Sequence, residues 1–356
     1  MLGSIKIKNK EVSLNSKSYF IADIAANHDG SLSKAIDLIY MAAESGADAA
    51  KFQNFKAETI VSDYGFKNLK SVSSHQSSWK KSVFEIYQDA SIPTNWSSQL
   101  KLECEKAKID YLTTPYDLDL IDELDKDVCA WKVGSGDITW HENIENLSKK
   151  DKPILIATGA SNIEEVRKAY KIAKKFNNQI SIMQCNTNYT ASIENFKYIC
   201  LNVLKTYAEE FPDTVLGLSD HTHGNSTVLG AISLGARVIE KHFTDNNDLD
   251  GPDHKFSMNP LSWKNMIDSA RELEQALGVE EKVIMENEIE TSIIQRRAIR
   301  TNKDLKIGNI LSENDLIYLR PCPKEALPPY KKNLIIGKKI LKNIKEGDII
   351  KESDLA

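Results

Sequence analysis

Eight short apolar runs, each followed by an amphipathic stretch, constrain the fold of this chain most strongly. The runs lie at residues 19–25, 47–53, 109–115, 130–135, 153–159, 180–185, 214–220 and 237–243. Several contain four or more consecutive apolar residues, as expected for strands that are buried on both faces. Alternating strands and helices pair in parallel through right-handed crossovers. Eight such units predict a TIM (β/α)8 barrel, and a doubly wound open sheet is the alternative.

The stretches between the runs have the spacing of amphipathic helices. After the first run, apolar residues recur with helical periodicity from Ile36 to Ala43, and the pattern stops at Gly46. Residues 162–176 and 225–236 show the same spacing. These segments therefore predict the helices that connect consecutive parallel strands.

The interval between residues 53 and 109 is too long for one connecting helix. It includes the polar, serine-rich and lysine-rich segment 62–82. We therefore expect a loop excursion over the barrel mouth, and the sequence leaves open whether it closes as a lid.

Bulk composition excludes several classes of protein. The chain has 356 residues, 41% of them apolar and 27% charged, and this composition is that of a globular protein. Its net charge of −5 predicts neither a nucleic-acid partner nor an anionic membrane partner. No apolar stretch approaches the ~20 residues of a membrane span, and the N-terminus lacks the apolar core of a signal peptide. Five scattered cysteines without a CxxC pair predict a reduced, cytoplasmic protein.

An internal repeat marks the C-terminal region. Residues 303–316 recur as residues 342–355, with seven of fourteen positions identical. A short repeat with β-branched residues around a central glycine predicts a small β-rich domain made of two similar halves. The predicted boundaries are a barrel domain at 1–285 with an N-terminal hairpin in 1–18, a linker at 286–296 and the β-rich domain at 297–356.

Polar residues follow all eight runs, at the strand ends where TIM barrels carry their functional side chains. A barrel with a purely structural role needs far fewer polar strand ends, so this pattern predicts an active site. The residues are Asp23, Asn27, His28, Lys51, Gln53, Thr113, Thr114, Lys132, Ser135, Asp137, Thr158, Gly159, Asn186, Thr187, Tyr189, Ser219, Asp220, His221, Lys241 and His242.

Lys51 and Lys132 fall inside the second and fourth runs. Lysine is costly to bury unless it is paired, so both residues predict a bound anion such as a phosphate or carboxylate. Threonine, serine and backbone N–H groups would complete this anion site. The alternative is that each lysine lies on the surface at a strand end.

His221 and His242 end the seventh and eighth runs, which are neighbours in a closed barrel. Two histidines with oxygen ligands from water or substrate suit a weakly held octahedral cation, Mn²⁺ first and Mg²⁺ or Co²⁺ as possibilities. Taken singly, each histidine is more often a hydrogen-bonded loop residue. His223 is expected to be solvated, and His254 is expected in a turn that folds back over the mouth.

Seven ordered motifs in this chain resemble those of the sialic acid synthase family. They are IADIAANHDGSL, ADAAKFQNF, WKVGSGDI, ILIATGAS, GLSDHT, GARVIEKHFT and GPDHKFSMNP. The duplicated tail resembles the antifreeze-like SAF (β-clip) domain of those enzymes. The resemblance implies a metal-dependent condensation of phosphoenolpyruvate with an open-chain 2-acetamido sugar. That sugar would be N-acetylmannosamine or a 2,4-diacetamido-2,4,6-trideoxyhexose, and the products would be a sialic- or legionaminic-type acid and phosphate.

The resemblance also implies residue roles. His221 and His242 match metal-binding residues and, with Asp23, form the catalytic set. Residues that match the phosphoenolpyruvate site are Lys51, Lys132, Ser135 and Ser219. Residues that match or complete the substrate site are Gln53, Thr114, Asp137, Thr187, Tyr189 and Asp253. Arg320 matches an arginine that the tail domain inserts into the partner's active site, which implies a domain-swapped homodimer.

The chain departs from the family pattern at several positions. Asp23 and Asp137 stand where glutamate is common, Ala157 replaces a serine, and Thr187 lies in an altered CNTNYT motif. GPDHKFS is closer to the sialic and legionaminic branches, whereas AANH is closer to the pseudaminic one. The alternatives are therefore a pseudaminic acid synthase, a Schiff-base aldolase using Lys51 or Lys132, and a non-enzymatic binding module.

Overall fold

The computed structural model describes residues 3–69, 76 and 79–356. The chain forms two compact units, Met1–Gly278 and Val279–Ala356. The sequence-based boundary after residue 285 lies within the second unit.

Eight parallel strands form a closed barrel in the first unit. They follow a hairpin of β1 (Ser4–Ile7) and β2 (Lys10–Ser13), and neighbours in the ring are consecutive in sequence, with the last strand pairing beside the first. The barrel strands are β3 (Tyr19–Asp23), β4 (Ala49–Asn54), β5 (Asp110–Pro115), β6 (Trp131–Val133), β7 (Ile154–Ala157), β8 (Ile180–Cys185), β9 (Val215–Asp220) and β10 (Val238–His242). Each predicted run coincides with one of these strands, and only β4 extends beyond its run, by one residue, so the TIM barrel is confirmed and the open sheet is wrong.

Eleven α-helices are described in the first unit. They are α1 (Leu32–Glu44), α2 (Ala57–Ile60), α3 (Asp63–Asn68), α4 (Val83–Ala90), α5 (Thr94–Lys106), α6 (Leu118–Leu124), α7 (His141–Ser148), α8 (Ile163–Phe176), α9 (Val203–Glu210), α10 (Ser226–Ser233) and α11 (Pro260–Leu277). None of the helices in the described residues is both long and apolar enough to cross a membrane.

Local sequence signals set the helix ends. The Asn162 side chain accepts hydrogen bonds from the first turn of α8, and Glu165 reaches back to the backbone of Asn162, which completes a capping box. Gly46 follows α1 with φ of +91°, a conformation that glycine adopts without steric cost. The chain can therefore turn directly from α1 into β4.

The hairpin closes the N-terminal end of the barrel. Ile5, Ile7 and Val12 are buried and pack with inward-facing barrel residues such as Ala49 and Leu155. An apolar layer thus fills one end of the barrel and leaves polar side chains for the other end.

Four helices, α2 to α5, occupy the long interval between β4 and β5, as expected from its length. The predicted excursion at 62–82 is described only in part, because residues 70–75, 77 and 78 lie outside the described residues. The expected excursion over the barrel mouth therefore stays a prediction.

The second unit is small and β-rich, with α12 (Ile289–Ile294) followed by the antiparallel pair β11 (Ala298–Thr301) and β12 (Leu316–Leu319). The two repeat halves face each other, because the equivalent residues Leu305 and Ile344 exchange both backbone hydrogen bonds. Each half also contains the same ion pair, Lys303 with Asp315 and Lys342 with Asp354. The sequence repeat is therefore a structural repeat.

Candidate active site

A buried network of four charges occupies the carboxyl end of the barrel. Lys51 Nζ lies 2.7 Å from Asp23 Oδ2 and 3.9 Å from Glu240 Oε1. Lys132 Nζ lies 3.0 Å from the same Glu240 oxygen. All four side chains are buried, and Ser219 Oγ donates to Glu240 at 3.2 Å. The two predicted anion-binding lysines therefore converge, with carboxylates as their partners in this structure.

The pKa values of the two carboxylates in this network are shifted in opposite directions. Burial raises the pKa of Asp23 although Lys51 opposes the shift. Burial also disfavours ionised Glu240, but Lys132 and Lys51 together hold the pKa of Glu240 below its ordinary value. When the pKa values of two neighbouring carboxyl groups are shifted in opposite directions, one group remains an anion and the other can exchange a proton.

A small cradle lies beside the lysines, at the ends of β6, β7 and β8. The Gly159 N–H donates to Ser135 Oγ at 3.0 Å. A Cβ on Gly159 would lie 1.9 Å from Thr187 Oγ1 and 3.1 Å from Cys185 Sγ, so only glycine fits there. Hydroxyl and backbone N–H groups beside two lysines make a site of the kind that binds phosphate.

His221 and His242 meet over the mouth with ring centroids 5.2 Å apart. His221 Nδ1 lies 3.1 Å from the Asn186 carbonyl oxygen, and the contact of His221 with Cys185, which outweighs burial, raises the pKa of this imidazole. His242 Nδ1 is buried without a hydrogen-bond partner. Burial, His221 and the nearby lysines hold the pKa of His242 well below its ordinary value, so this imidazole is neutral. His242 can therefore act as a cation ligand, and His221 can do so once a cation displaces its proton.

Aromatic side chains surround the histidine pair. The Tyr189 ring lies 4.4 Å from His221, and the Phe256 ring lies 4.8 Å from His242, centroid to centroid. Asp253 Oδ2 accepts a hydrogen bond from the Ala26 N–H at 3.1 Å, which ties the loop after β10 to the loop after β3. His254 is fully buried beside it and contacts Thr244 and Asp29, so the predicted fold-back of this turn is confirmed.

An open cavity adjoins His242 and extends towards α4. Its wall is mixed, with polar and apolar side chains both contributing to it. The lining residues are Ala26, Gln53, Phe55, Gln76, Trp79, Ile86, Tyr87, Ala90, Tyr116, Tyr189, His242, Pro252 and Asp253. Three predicted sugar-site residues, Gln53, Tyr189 and Asp253, therefore share one cavity.

The structure brings together most of the predicted site residues but not all of them. Thr114 Oγ1 lies 3.4 Å from Lys51 Nζ, and Gln53 Nε2 lies 3.3 Å from Asp23 Oδ2. Arg320 is exposed in the second unit, and its role stays a prediction. His223 is exposed, as expected.

Three polar strand-end residues that we expected in the mouth point outwards instead. Thr113 Oγ1 donates to Asn54 Oδ1 at 2.6 Å, on the side of α5. Lys241 pairs with Asp220 on the side of α10. Burial opposes ionisation of Asp220, yet Lys241 and two threonine hydroxyls lower its pKa to about 2. The expectation that every polar strand end converges on the mouth was wrong, because alternate residues of a strand face opposite sides.

Sequence reasoning missed Glu240, Cys185 and Phe256. Glu240 precedes His242 by two residues and so faces the same side of β10, which the strand period could have revealed. Cys185 lies next to the cradle, and its contact with His221, which outweighs burial, lowers the pKa of the thiol. Phe256 lies in a loop, and no local signal places it against the histidines.

Asp137 is a half-buried residue whose Oδ2 atom is buried without a hydrogen-bond partner. Burial raises its pKa from 3.8 to about 6. The pKa of Asp137 is higher in the folded protein than in the unfolded protein. Burial of this carboxyl therefore does not change the free energy of unfolding below about pH 4 and lowers it by the full amount above about pH 6. We expect Asp137→Asn to be more stable than the native protein at pH 8 by roughly 1–3 kcal/mol, and less active.

Urea unfolding at pH 4, 6 and 8 measures this difference. The gain from Asp137→Asn should be absent at pH 4, grow up to pH 6 and stay constant above it. An equal gain at all three pH values would show that the Asp137 carboxyl is not the cause.

The fold and site define a (β/α)8-barrel protein with buried lysines and paired histidines at its mouth, followed by a SAF domain, which residues 296–356 match. Residues 38–282 match the NeuB family. The chain belongs to the NeuB family, as the resemblance of its motifs indicated.

Similar proteins cover nearly the whole chain. N,N'-diacetyllegionaminic acid synthase of Legionella pneumophila is 36% identical, covering 92% of this chain and 92% of that protein. Pseudaminic acid synthase of Campylobacter jejuni is 32% identical, covering 95% and 96%. The structure of the spore coat polysaccharide biosynthesis protein spsE from Bacillus subtilis is 30% identical with a TM-score of 0.65, covering 99% of both chains.

Proposed function

We propose that this protein is a nonulosonic acid synthase that condenses phosphoenolpyruvate with an open-chain 2-acetamido sugar. The observation that carries the proposal is the adjacency of two histidines, 5.2 Å apart, to two buried lysines in one barrel mouth. Its relatives make legionaminic and pseudaminic acids, which supports this class of reaction.

The lysines would hold phosphoenolpyruvate. Lys51 and Lys132 carry the positive charge, and Ser135, Thr187 and the Gly159 region supply neutral donors beside them. Carbon 3 of phosphoenolpyruvate forms the bond to the aldehyde carbon, water adds at carbon 2, and the carbon 2–oxygen bond to phosphate breaks. The lysines compensate the charge of the departing phosphate.

His221 and His242 fit a divalent cation, Mn²⁺ first and Mg²⁺ or Co²⁺ as alternatives. The buried Nδ1 of His242 has no hydrogen-bond partner, and the ring of His221 lies 5.2 Å from the ring of His242, centroid to centroid. Within residues 3–69, 76 and 79–356, no three His, Cys, Asp or Glu side chains are arranged to hold a metal. Water and the substrate would supply the other ligands. When bound, the cation polarises the aldehyde oxygen of the sugar.

Asp23 is the proposed proton-transfer residue. Its Oδ2 lies 2.7 Å from Lys51 Nζ and 3.6 Å from His242 Nε2, between the proposed anion site and the proposed cation site. Burial raises its pKa, which is the direction of shift that favours proton exchange by a carboxyl. Asp23 would orient or deprotonate the attacking water, while Glu240 remains the anion that holds the lysines.

The cavity beside His242 favours a 2,4-diacetamido-2,4,6-trideoxyhexose as the acceptor. Ile86 and Ala90 of α4, with Phe55 and Pro252, offer apolar surface that suits the methyl group of a 6-deoxy sugar. We expect kcat/KM for such a sugar to exceed that for N-acetylmannosamine by roughly 10²-fold. Steady-state rates with the legionaminate and pseudaminate precursors and N-acetylmannosamine measure this. Ile86→Ser should reduce the ratio of kcat/KM for the diacetamido sugar to kcat/KM for N-acetylmannosamine. A preference of the native protein for N-acetylmannosamine would contradict this assignment.

Arg320 is proposed to enter the active site of a partner subunit, in a domain-swapped homodimer. Because a guanidinium binds sugar oxygens through several N–H donors, Arg320→Ala should raise the KM for the sugar at least about 10-fold and change that for phosphoenolpyruvate little. Arg296→Ala, at another exposed arginine of the same unit, is the matched control. An unchanged sugar KM would remove Arg320 from the site.

Phosphate release tests the reaction class. Purified protein with Mn²⁺ should release phosphate from phosphoenolpyruvate only when the acetamido sugar is present, and a chelator should stop it. Borohydride with pyruvate should leave the protein mass unchanged. A reduced pyruvyl adduct at Lys51 or Lys132 would favour the Schiff-base aldolase instead.

A further inference from the structure

A buried ion pair lies directly behind the two histidines, on the outer face of the barrel. Asp220 and Lys241 are direct neighbours in the β9–β10 register, and each precedes one histidine. Lys241 Nζ lies 2.5 Å from Asp220 Oδ2, and the side chains are only 1% exposed. The pair faces α10, because Thr227 at the start of that helix donates to Asp220 at 2.7 Å.

Both members of this pair also hold the backbone on the far side of His221. Asp220 accepts the Thr222 N–H at 3.2 Å and the Thr222 hydroxyl at 2.8 Å, which makes His221 the central residue of an Asx turn. Lys241 Nζ donates to the Thr222 carbonyl oxygen at 2.6 Å. Lys241, which precedes His242, therefore holds the backbone of Thr222, which follows His221.

A general role in stability does not account for this arrangement. A buried ion pair is seldom worth more than apolar residues of similar volume, which would pack well between a strand and a helix. Here the polar atoms converge on the three-residue turn that carries His221, and none of the hydrogen bonds of this pair reaches into the mouth.

We propose that Asp220 and Lys241 are positioning residues that set the spacing and orientation of His221 and His242 for a divalent cation. The inference rests on the metal role proposed for the two histidines. Residues behind metal ligands typically change metal affinity by about 10- to 100-fold when they are replaced.

Mn²⁺ titration of the full-length protein, with free Mn²⁺ measured by electron paramagnetic resonance, tests the proposal without turnover. Lys241→Met should weaken Mn²⁺ binding at least about 10-fold and also lower the melting temperature, because Asp220 is left unpaired. The double variant Asp220→Asn with Lys241→Met removes both charges. It should recover most of the stability and keep the weak Mn²⁺ affinity.

The double variant shows whether Mn²⁺ affinity is lost when stability is largely retained. It therefore tests the positioning role even if Lys241→Met fails to fold. Thr113→Val is the matched control, because Thr113 is a buried, outward-facing polar residue on β5. It should lower stability and leave Mn²⁺ affinity unchanged. Native Mn²⁺ affinity in the double variant would overturn the positioning role alone. If the native protein binds no Mn²⁺, the proposed metal site is overturned together with this inference.

Discussion

His242→Ala is expected to lower kcat by roughly 10³-fold or more, because the proposed cation would lose one of its two protein ligands. The ring is buried in contact with Asp23, Tyr189 and Phe256, and its removal leaves His221 as the remaining proposed imidazole ligand. The loss should persist at saturating phosphoenolpyruvate and sugar. Turnover measured at increasing Mn²⁺ should rise for the native protein and stay flat for the variant.

The control for this prediction is His223→Ala. His223 is exposed, and its Nε2 only contacts the Ala191 carbonyl oxygen, although it lies two residues from His221. This variant should keep native kcat and native Mn²⁺ dependence. A fully active His242→Ala protein would refute the metal role.

Lys51→Met should both destabilise the protein and abolish tight binding of phosphoenolpyruvate. Removing the ammonium leaves the buried carboxylates of Asp23 and Glu240 without a shared counter-ion. Breaking such a buried pair typically costs roughly 3–5 kcal/mol. The same change removes a charge that holds the substrate, so the Kd for phosphoenolpyruvate should rise at least about 10²-fold.

Calorimetric titration of phosphoenolpyruvate without metal, well below the melting transition, separates the two effects. Lys241→Met is the matched control, because it removes an equally buried lysine that faces α10 instead of the mouth. It should lose stability and keep its affinity for phosphoenolpyruvate. A folded Lys51→Met protein with native affinity would exclude Lys51 from the anion site.

The barrel was predictable because a parallel strand that is buried on both faces has a continuous apolar sequence. The runs at 153–159 and 214–220 each contain the corresponding strand, β7 or β9. The C-terminal repeat was equally predictable, because half of the positions in residues 303–316 recur unchanged in residues 342–355. Such signals depend on neighbours in sequence alone.

The site was only partly predictable. The positions of Lys51, Lys132 and the two histidines follow from strand ends, but their partners do not. Glu240 was overlooked because its neighbour Lys241 is as polar and one residue closer to the strand end. Only the period of β10 separates the inward residue from the outward one. Phe256 comes from a loop whose path depends on Asp253 and His254, and these contacts join segments more than 200 residues apart.

Mass spectrometry of the reaction product tests the central claim most directly. Purified protein would be incubated with phosphoenolpyruvate, Mn²⁺ and N-acetylmannosamine or the diacetamido-trideoxyhexoses that precede legionaminate and pseudaminate. The account predicts a nine-carbon keto acid, with the mass of the sugar plus pyruvate, formed with a diacetamido sugar and lost when a chelator is added. No such acid with any of these sugars, from folded protein loaded with Mn²⁺, would contradict the proposed synthase.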